Sequence, residues 1–351
     1  MGARWLLSVA AMLGAACTPA QAAVERPPQF VVMAFDNCTE LDRWQELVDF
    51  AAGMNRDGDR VHFTFFLSGV NLLADASRAL YAGPRQRRGY SPINFGGPAD
   101  DVRRRVEYLN ALNASGHEIA SHAVGHFHGG AWSAAEWARE FQAFDEILDW
   151  VGPNNRLPAD VKLRFDHRRV VGFRAPYLGA GSGLFPALKA HGFRYDASRI
   201  SPAAAWPDKV DSLWRFNLVP LRISGSGRGT LSMDYNFFVA QSRAANDPRR
   251  RALYSEQMLA TYLDYFRANY TGSRAPLHIG HHFFAYQGGV YNEALKAFAR
   301  TVCGLPEVRC TTYERLADFM DGLSAETLAA YRNGDFPRAE RPALSVADAT
   351  R

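Results

Sequence analysis

GHEIASHAVGHFH, Gly116 to His128, puts four histidines into thirteen residues of a chain that has ten in 351. Within it HEIAS reads as a strand, and Gly116 stops a helix predicted over Asp100 to Asn113. Beyond it, Ser133-Ala134-Ala135-Glu136 is a capping box that opens a helix running to about Trp150. The same alternation extends outward in both directions. QFVVMAF and VHFTFFL are strands before it, with an amphipathic helix from Leu41 to Met54 between them. After it come VVGFR, a short helix from Leu184 to His191, FRYDAS, a helix near Tyr254 to Asn269, PLHIGHH, a further helix, VRCTTY and a last helix to about Leu323. About seven strands, each followed by a helix, argue for an α/β fold with a parallel sheet closed as a barrel in a single domain. The stretch from Pro202 to Pro248 reads as irregular, with strand-like pieces such as LVPLRI.

Composition narrows the class. With 47% hydrophobic and 22% charged residues the chain is globular rather than disordered or fibrous. A net charge of +4 gives no case for a nucleic-acid partner. Two basic runs, Pro84 to Arg88 and Pro248 to Arg251, lie among loop residues and read as solvated. Residues 1–22 have the form of a secretory signal peptide: one arginine, an apolar run from Trp5 to Ala16, and Ala20-Gln21-Ala22 for cleavage. The run is too short to span a bilayer, and no other segment is long and apolar enough to do so. The expected product is an exported protein, periplasmic or secreted, with lipidation at Cys17 as the second reading. Its barrel domain would cover residues 23–324, followed by a tail, 325–351, without strong periodicity. Cys303 and Cys310 flank a short loop and form the natural disulfide in an oxidising compartment, leaving Cys38 as a small buried residue.

The residues that carry chemistry stand just after strands: Asp36-Asn37, His122 and His126, Arg174, and His281. In a β/α barrel those positions share one mouth. His122 and His126, four apart, can reach one metal ion, although Gly125 favours an irregular turn over a helical one. His117 begins its strand and reads as structural, and His128 as a residue near the metal or the substrate. Asp36 and Asn37 are the best oxygen donors nearby, with turn chemistry as the plainer account of both. Arg174 is either a surface ion-pair partner or a positioned arginine, and Asp234 is either a turn or a site residue. On the strand PLHIGHH, Leu277, Ile279 and His281 share one side, which selects His281 and leaves His278 and His282 as alternates. Tyr177 and Trp206 are candidates for stacking on sugar rings, with packing an equal reading of Trp206.

These residues carry a resemblance. AFDNC is similar to the first motif of the polysaccharide deacetylases, carbohydrate esterases of the nodulation-deacetylase type, HEIASHAVGH to the second, GFRAPYL to the third and PLHIGHH to the last. FTFFLS, WSAAEWAREF, YDAS, SRAPL and EVRCTTYERLADFM resemble the insect-type chitin deacetylase branch, and the likeness runs from Phe30 to Leu323. It implies a distorted β/α barrel that hydrolyses N-acetyl groups of N-acetylglucosamine-containing glycans with a zinc ion. By that resemblance Asp36 is the general base, Arg174 its holder, and Asn37, His122 and His126 the metal ligands. Tyr177 would supply an oxyanion N–H, His281 the general acid, and Asp234 the carboxylate that tunes it. The chain departs from the pattern at Asn37, where the family has an aspartate. A neutral amide gives the metal less charge, so Asp36 or another carboxylate could be drawn in as ligand. Beside the deacetylase stand two other readings, a silent carbohydrate-binding barrel and a different metal-dependent amidase or esterase.

Overall fold

The computed structural model describes residues 24–340, 342 and 344. The leader read at residues 1–22, with Cys17, lies outside the described residues. The described residues form eleven strands: β1 (Gln29–Asp36), β2 (Thr64–Leu67), β3 (Glu118–Ser121), β4 (Gly172–Phe173), β5 (Tyr195–Asp196), β6 (Asp208–Val210), β7 (Leu213–Arg215), β8 (Pro220–Arg222), β9 (Gly229–Leu231), β10 (Leu277–His282) and β11 (Val308–Thr311). Nine of them form one sheet in the order β10-β1-β2-β3-β4-β5-β7-β6, with β11 beside the first half of β1. Every pairing in it is parallel except the β6–β7 hairpin.

The sheet curls, and irregular chain closes it. Single bridges join Ile200 to Leu218 and Met233 to Gly280, and the Ser232 N–H donates to the Val219 carbonyl between them. These bonds satisfy backbone groups that an open parallel edge would leave bare. The result is the distorted β/α barrel expected from the sequence.

Side-chain alternation on β1 sorts the core into two layers. Val31, Met33 and Phe35 face the surrounding helices, while Phe30, Val32 and Ala34 fill the barrel with Phe66, Tyr195, Phe216 and Tyr313. Both faces of β1 are buried, which is why its sequence is a continuous apolar run rather than an alternating one. Space inside is tight: a Cβ at Gly172 would lie 1.9 Å from Tyr195 Cζ, so only glycine fits beside that ring. Asp36, the last residue of β1, falls on the inward parity, as does His282 opposite it on β10.

The helices Leu41–Met54 and Leu184–His191 have the bounds expected, and the capping box at Ser133 and Glu136 is formed. Cys303 and Cys310 are disulfide-bonded with their Cα atoms 5.5 Å apart, tying the end of one helix to β11. Cys38 is buried and free. Two regions differ from the reading of the sequence. The stretch 202–248 contains two hairpins, β6–β7 and β8–β9, and a helix Asp234–Ser242 whose buried Phe237, Phe238 and Gln241 make no long apolar stripe. The tail contains a helix, Ala325–Asn333, capped by the Ser324 hydroxyl, and its Tyr331 stacks on Trp206. No helix among the described residues is long and apolar enough to cross a membrane.

Candidate active site

The C-terminal ends of β1, β3, β4 and β10 open on one cavity of about 560 Å³, lined by Asp36, Asn37, His122, His126, Tyr177 and His282 among others. A second, more polar cavity of about 760 Å³ adjoins it through Ile93, walled by the loop that follows β2 and by residues Thr39 to Asp42.

Asp36 is 2% exposed, and Arg174, fully buried inside the barrel, donates from Nη1 to its Oδ1 at 2.7 Å. The guanidinium also donates to the Ala197 carbonyl and the Tyr313 hydroxyl, and its carbon lies 4.2 Å from the Phe66 ring centroid. The surface-ion-pair reading of Arg174 is therefore excluded. Burial works to raise the Asp36 pKa, but Arg174, His122 and His282 outweigh it and hold the carboxyl below its ordinary range.

His122 follows β3, and its Nδ1 donates to the Arg174 carbonyl at 2.7 Å. That bond fixes the tautomer and leaves the Nε2 lone pair free. His126 lies 5.1 Å away between ring centroids. Burial pushes the pKa of His122 down to about 4 and that of His126 to about 3, so both rings are neutral donors at ordinary pH. Asn37, on a left-handed turn with φ 55°, donates from Nδ2 to His126 Nε2 at 3.0 Å and accepts from the Ser68 hydroxyl at 3.1 Å. His126 Nδ1 is buried without a partner.

Among the described residues no three His, Cys, Asp or Glu side chains converge to hold a metal ion. Neither Asp36 nor another carboxylate has moved in to complete the set. The available donors are the two imidazoles and the Asn37 carboxamide, whose terminal atom already touches His126. A half-turn of that amide puts its oxygen where its nitrogen now sits, 3.0 Å from His126 Nε2. This set of N and O donors fits a divalent ion and supplies it with no negative charge.

The histidine on β10 is a correction. His281, selected from its shared side with Leu277 and Ile279, is fully buried among the helices, accepting from Tyr262 Oη at 3.1 Å. The parity was right and the face was wrong: the apolar side packs outward, and the side carrying His278, Gly280 and His282 faces the barrel. His282 lines the cavity and donates from Nδ1 to Asp234 Oδ1 at 2.7 Å, while its backbone N–H donates to Asp234 Oδ2 at 2.9 Å. Burial works to lower the His282 pKa, but Asp234 and then Asp36 prevail and raise it above the ordinary value. His278 lies deeper in the barrel, its ring stacked on Tyr313. Asp234 is wholly buried at the start of its helix and meets the cavity through His282.

Tyr177 stands on a left-handed turn, φ 56°; the residue is 60% exposed and its ring lies 4.7 Å from that of His126 between centroids. Trp206 does not belong to the site. It is buried on the tail helix and donates from Nε1 to the Ser273 carbonyl. His117 accepts the Phe63 N–H, as a structural residue would, and His128 is exposed beyond Tyr177 with ring centroids 6.3 Å apart. Reading the sequence missed Tyr313 and Glu140. A signal for Glu140 was present, since a glutamate interrupts the apolar stripe of Trp137, Phe141 and Phe144.

No family model and no curated protein matches this chain. Solved structures do. A candidate polysaccharide deacetylase from Mycobacterium smegmatis aligns with a TM-score of 0.53 at 17% identity, over 93% of this chain and 99% of that one. The Xyl-CE4 domain of a multidomain xylanase from the hindgut metagenome of Trinervitermes trinervoides aligns at 0.44 and 13%, over 84% and 92%. The polysaccharide deacetylase Bc1974 of Bacillus cereus aligns at 0.42 and 12%, over 81% and 92%. The barrel described above is the fold that this chain shares with the mycobacterial protein.

Proposed function

We propose that the protein is an exported, metal-dependent deacetylase that hydrolyses N-acetyl groups of an N-acetylglucosamine-containing glycan, chitin-like or from a cell wall. One observation carries the reading. The ends of β1, β3 and β10 bring an ionised carboxylate, two neutral imidazoles and a carboxylate-paired imidazole to a single cavity. Amide hydrolysis needs those parts: a base for the attacking water, a centre that polarises the carbonyl, and an acid for the departing amine.

Asp36, kept ionised by Arg174, takes the proton of the attacking water. His122 and His126, with Asn37, would hold a zinc ion, which when bound supplies Lewis-acid polarisation of the acetamide carbonyl and a more acidic water. His282, whose pKa Asp234 raises against the effect of burial, gives its proton to the leaving nitrogen. Tyr177 offers its backbone N–H on the turn beside His126 and its ring on the rim as a platform for a sugar face. The polar cavity joined at Ile93 gives a glycan chain room beyond one sugar unit.

A sugar-binding barrel without catalysis is the second reading, favoured by the Asn37 amide donating to the nitrogen that a metal would use. Acetate release from chitin oligosaccharides and bound zinc, measured on one sample beside Asp36→Ala, separate the two. Bound zinc with acetate release lost in the variant is the expected result. Oligosaccharide binding without zinc or acetate would establish the silent barrel.

A further inference from the structure

We propose that Glu140 is the positioning residue of the His122–His126 turn and that, through the turn's backbone, it sets the affinity of the two histidines for a divalent ion. The proposal rests on the metal-dependent reading above and adds a residue from outside the cavity.

The helix Ala134–Asp149 packs Trp137, Phe141, Phe144, Ile147 and Leu148 against the barrel. Glu140 lies on that stripe, 1% exposed, where an ionisable group is costly unless its oxygens are fully used. They are used by the turn. Oε1 accepts the Val124 N–H at 2.9 Å and the Gly125 N–H at 3.0 Å. The Tyr81 hydroxyl lies 2.9 Å from both carboxylate oxygens. Two consecutive backbone N–H groups on one carboxylate make a small anion nest, filled here by the protein's own side chain.

The turn needs such a hold. Ala123 and His126 both have left-handed backbones, φ 59° and 54°, a region that is strained for a residue with a side chain. Val124 and Gly125 lie between them, so Glu140 grips the part of the turn that separates the two imidazoles. Gly125 permits this seat: a Cβ there would be 2.4 Å from Tyr81 Oη. The Ser91 hydroxyl holds the other side, donating to the Gly125 carbonyl at 3.0 Å. The spacing of His122 and His126 is thus set by backbone contacts with a helix and a loop that supply no ligand themselves.

Glu118 provides the control. It is likewise buried, 4% exposed, and bonded to Thr64, Tyr195 and the Glu314 N–H, at the opposite end of β3 from the histidine turn and without a hydrogen bond to it. Zinc affinity would be measured by chelator competition on the full chain for wild type, Glu140→Gln and Glu118→Gln, with thermal melts alongside. Glu140→Gln is expected to weaken zinc binding about 10- to 100-fold, the effect typical of lost outer partners of metal ligands. Glu118→Gln is expected to lower the melting temperature while leaving zinc affinity unchanged. If Glu140→Gln does not fold, Tyr81→Phe removes only the hydroxyl that bonds Glu140 and is expected to weaken zinc about fivefold. Unchanged affinity in the Glu140 and Tyr81 variants, or equal weakening by Glu118→Gln, overturns the proposal. A wild-type chain that binds no zinc overturns the metal-dependent reading itself, and the two failures are distinct.

Discussion

The two halves of the cavity are built on different principles. In the acid–base half, each charge meets its opposite at 2.7 Å: Arg174 on Asp36, and His282 on Asp234. Those partners lie far apart in the chain and are brought together by the barrel. In the ligand half, three neutral side chains converge from two tight turns, and the carboxylates stay outside. Buried ion pairs are unforgiving, because removing one partner leaves a bare charge in a poor solvent. Neutral donors can lose affinity and keep the fold. On the proposed reading, the groups that would move protons and those that would hold a metal are separable, and each can be broken alone.

The largest expected effect lies in the acid–base half. His282→Gln removes the proton donor and should lower acetate release about 100-fold or more, the range of general acid catalysis. His281→Gln, one residue earlier on the same strand, should lower the melting temperature and leave the rate within a few-fold of wild type. Equal rate losses in both variants would dissolve the distinction between the two faces of β10. The pH profile gives the same comparison more finely. The His282 pKa is raised, so the acid persists above the ordinary imidazole range and is lost as pH rises through that folded value. The Asp36 pKa is lowered, so the base persists until pH falls through a value below the ordinary one. Asp234→Asn removes the first-rank partner of His282, and the alkaline limb of the profile should move to lower pH while the acid limb stays.

The sequence showed one half of the cavity better than the other. His122 and His126 are local, four residues apart, and were legible as a pair. Asp36 and Arg174 were legible as strand-end residues, but their contact spans 138 positions and needs the barrel. His281 was chosen over His282 because alternation fixes which residues share a side and not which side is the interior. In a parallel barrel both sides are buried, so the apolar neighbours of His281 pointed to the helix layer just as well as to the cavity. Trp206 failed for a similar reason: its partner is Tyr331, in a tail whose helix shows little apolar periodicity. The α/β class itself came through intact, carried by strand and helix alternation along most of the chain.

The ligand half is tested by restoring what it lacks. Asn37→Asp places one negative charge beside His126, where the amide N–H now sits at 3.0 Å. A carboxylate cannot donate to the imidazole, so it competes for a cation instead. Zinc affinity should rise about 10- to 100-fold, read by chelator competition, with a parallel gain in acetate release at limiting zinc. The melting temperature without metal should fall slightly, since the Asn37–His126 bond is lost. A variant with stronger zinc binding and no gain in turnover would place the limitation in the acid–base half and reverse the comparison.

The smallest effect concerns Tyr177, where backbone and side chain do different work. Its N–H belongs to the left-handed turn after β4 and is present whatever the side chain. The residue is 60% exposed and its ring stands on the rim, so it adds only the contact energy of an aromatic surface with a sugar face. That contact contributes about 0.5–1.5 kcal/mol, two- to tenfold in binding. Tyr177→Ala should raise KM for chitin oligosaccharides within that range and leave kcat nearly unchanged, while Tyr177→Phe should match wild type in both. A fall in kcat for Tyr177→Ala with KM unchanged would mean that the ring holds the turn's shape through its edge contact with His126, and the rim would then belong to the ligand half of the cavity.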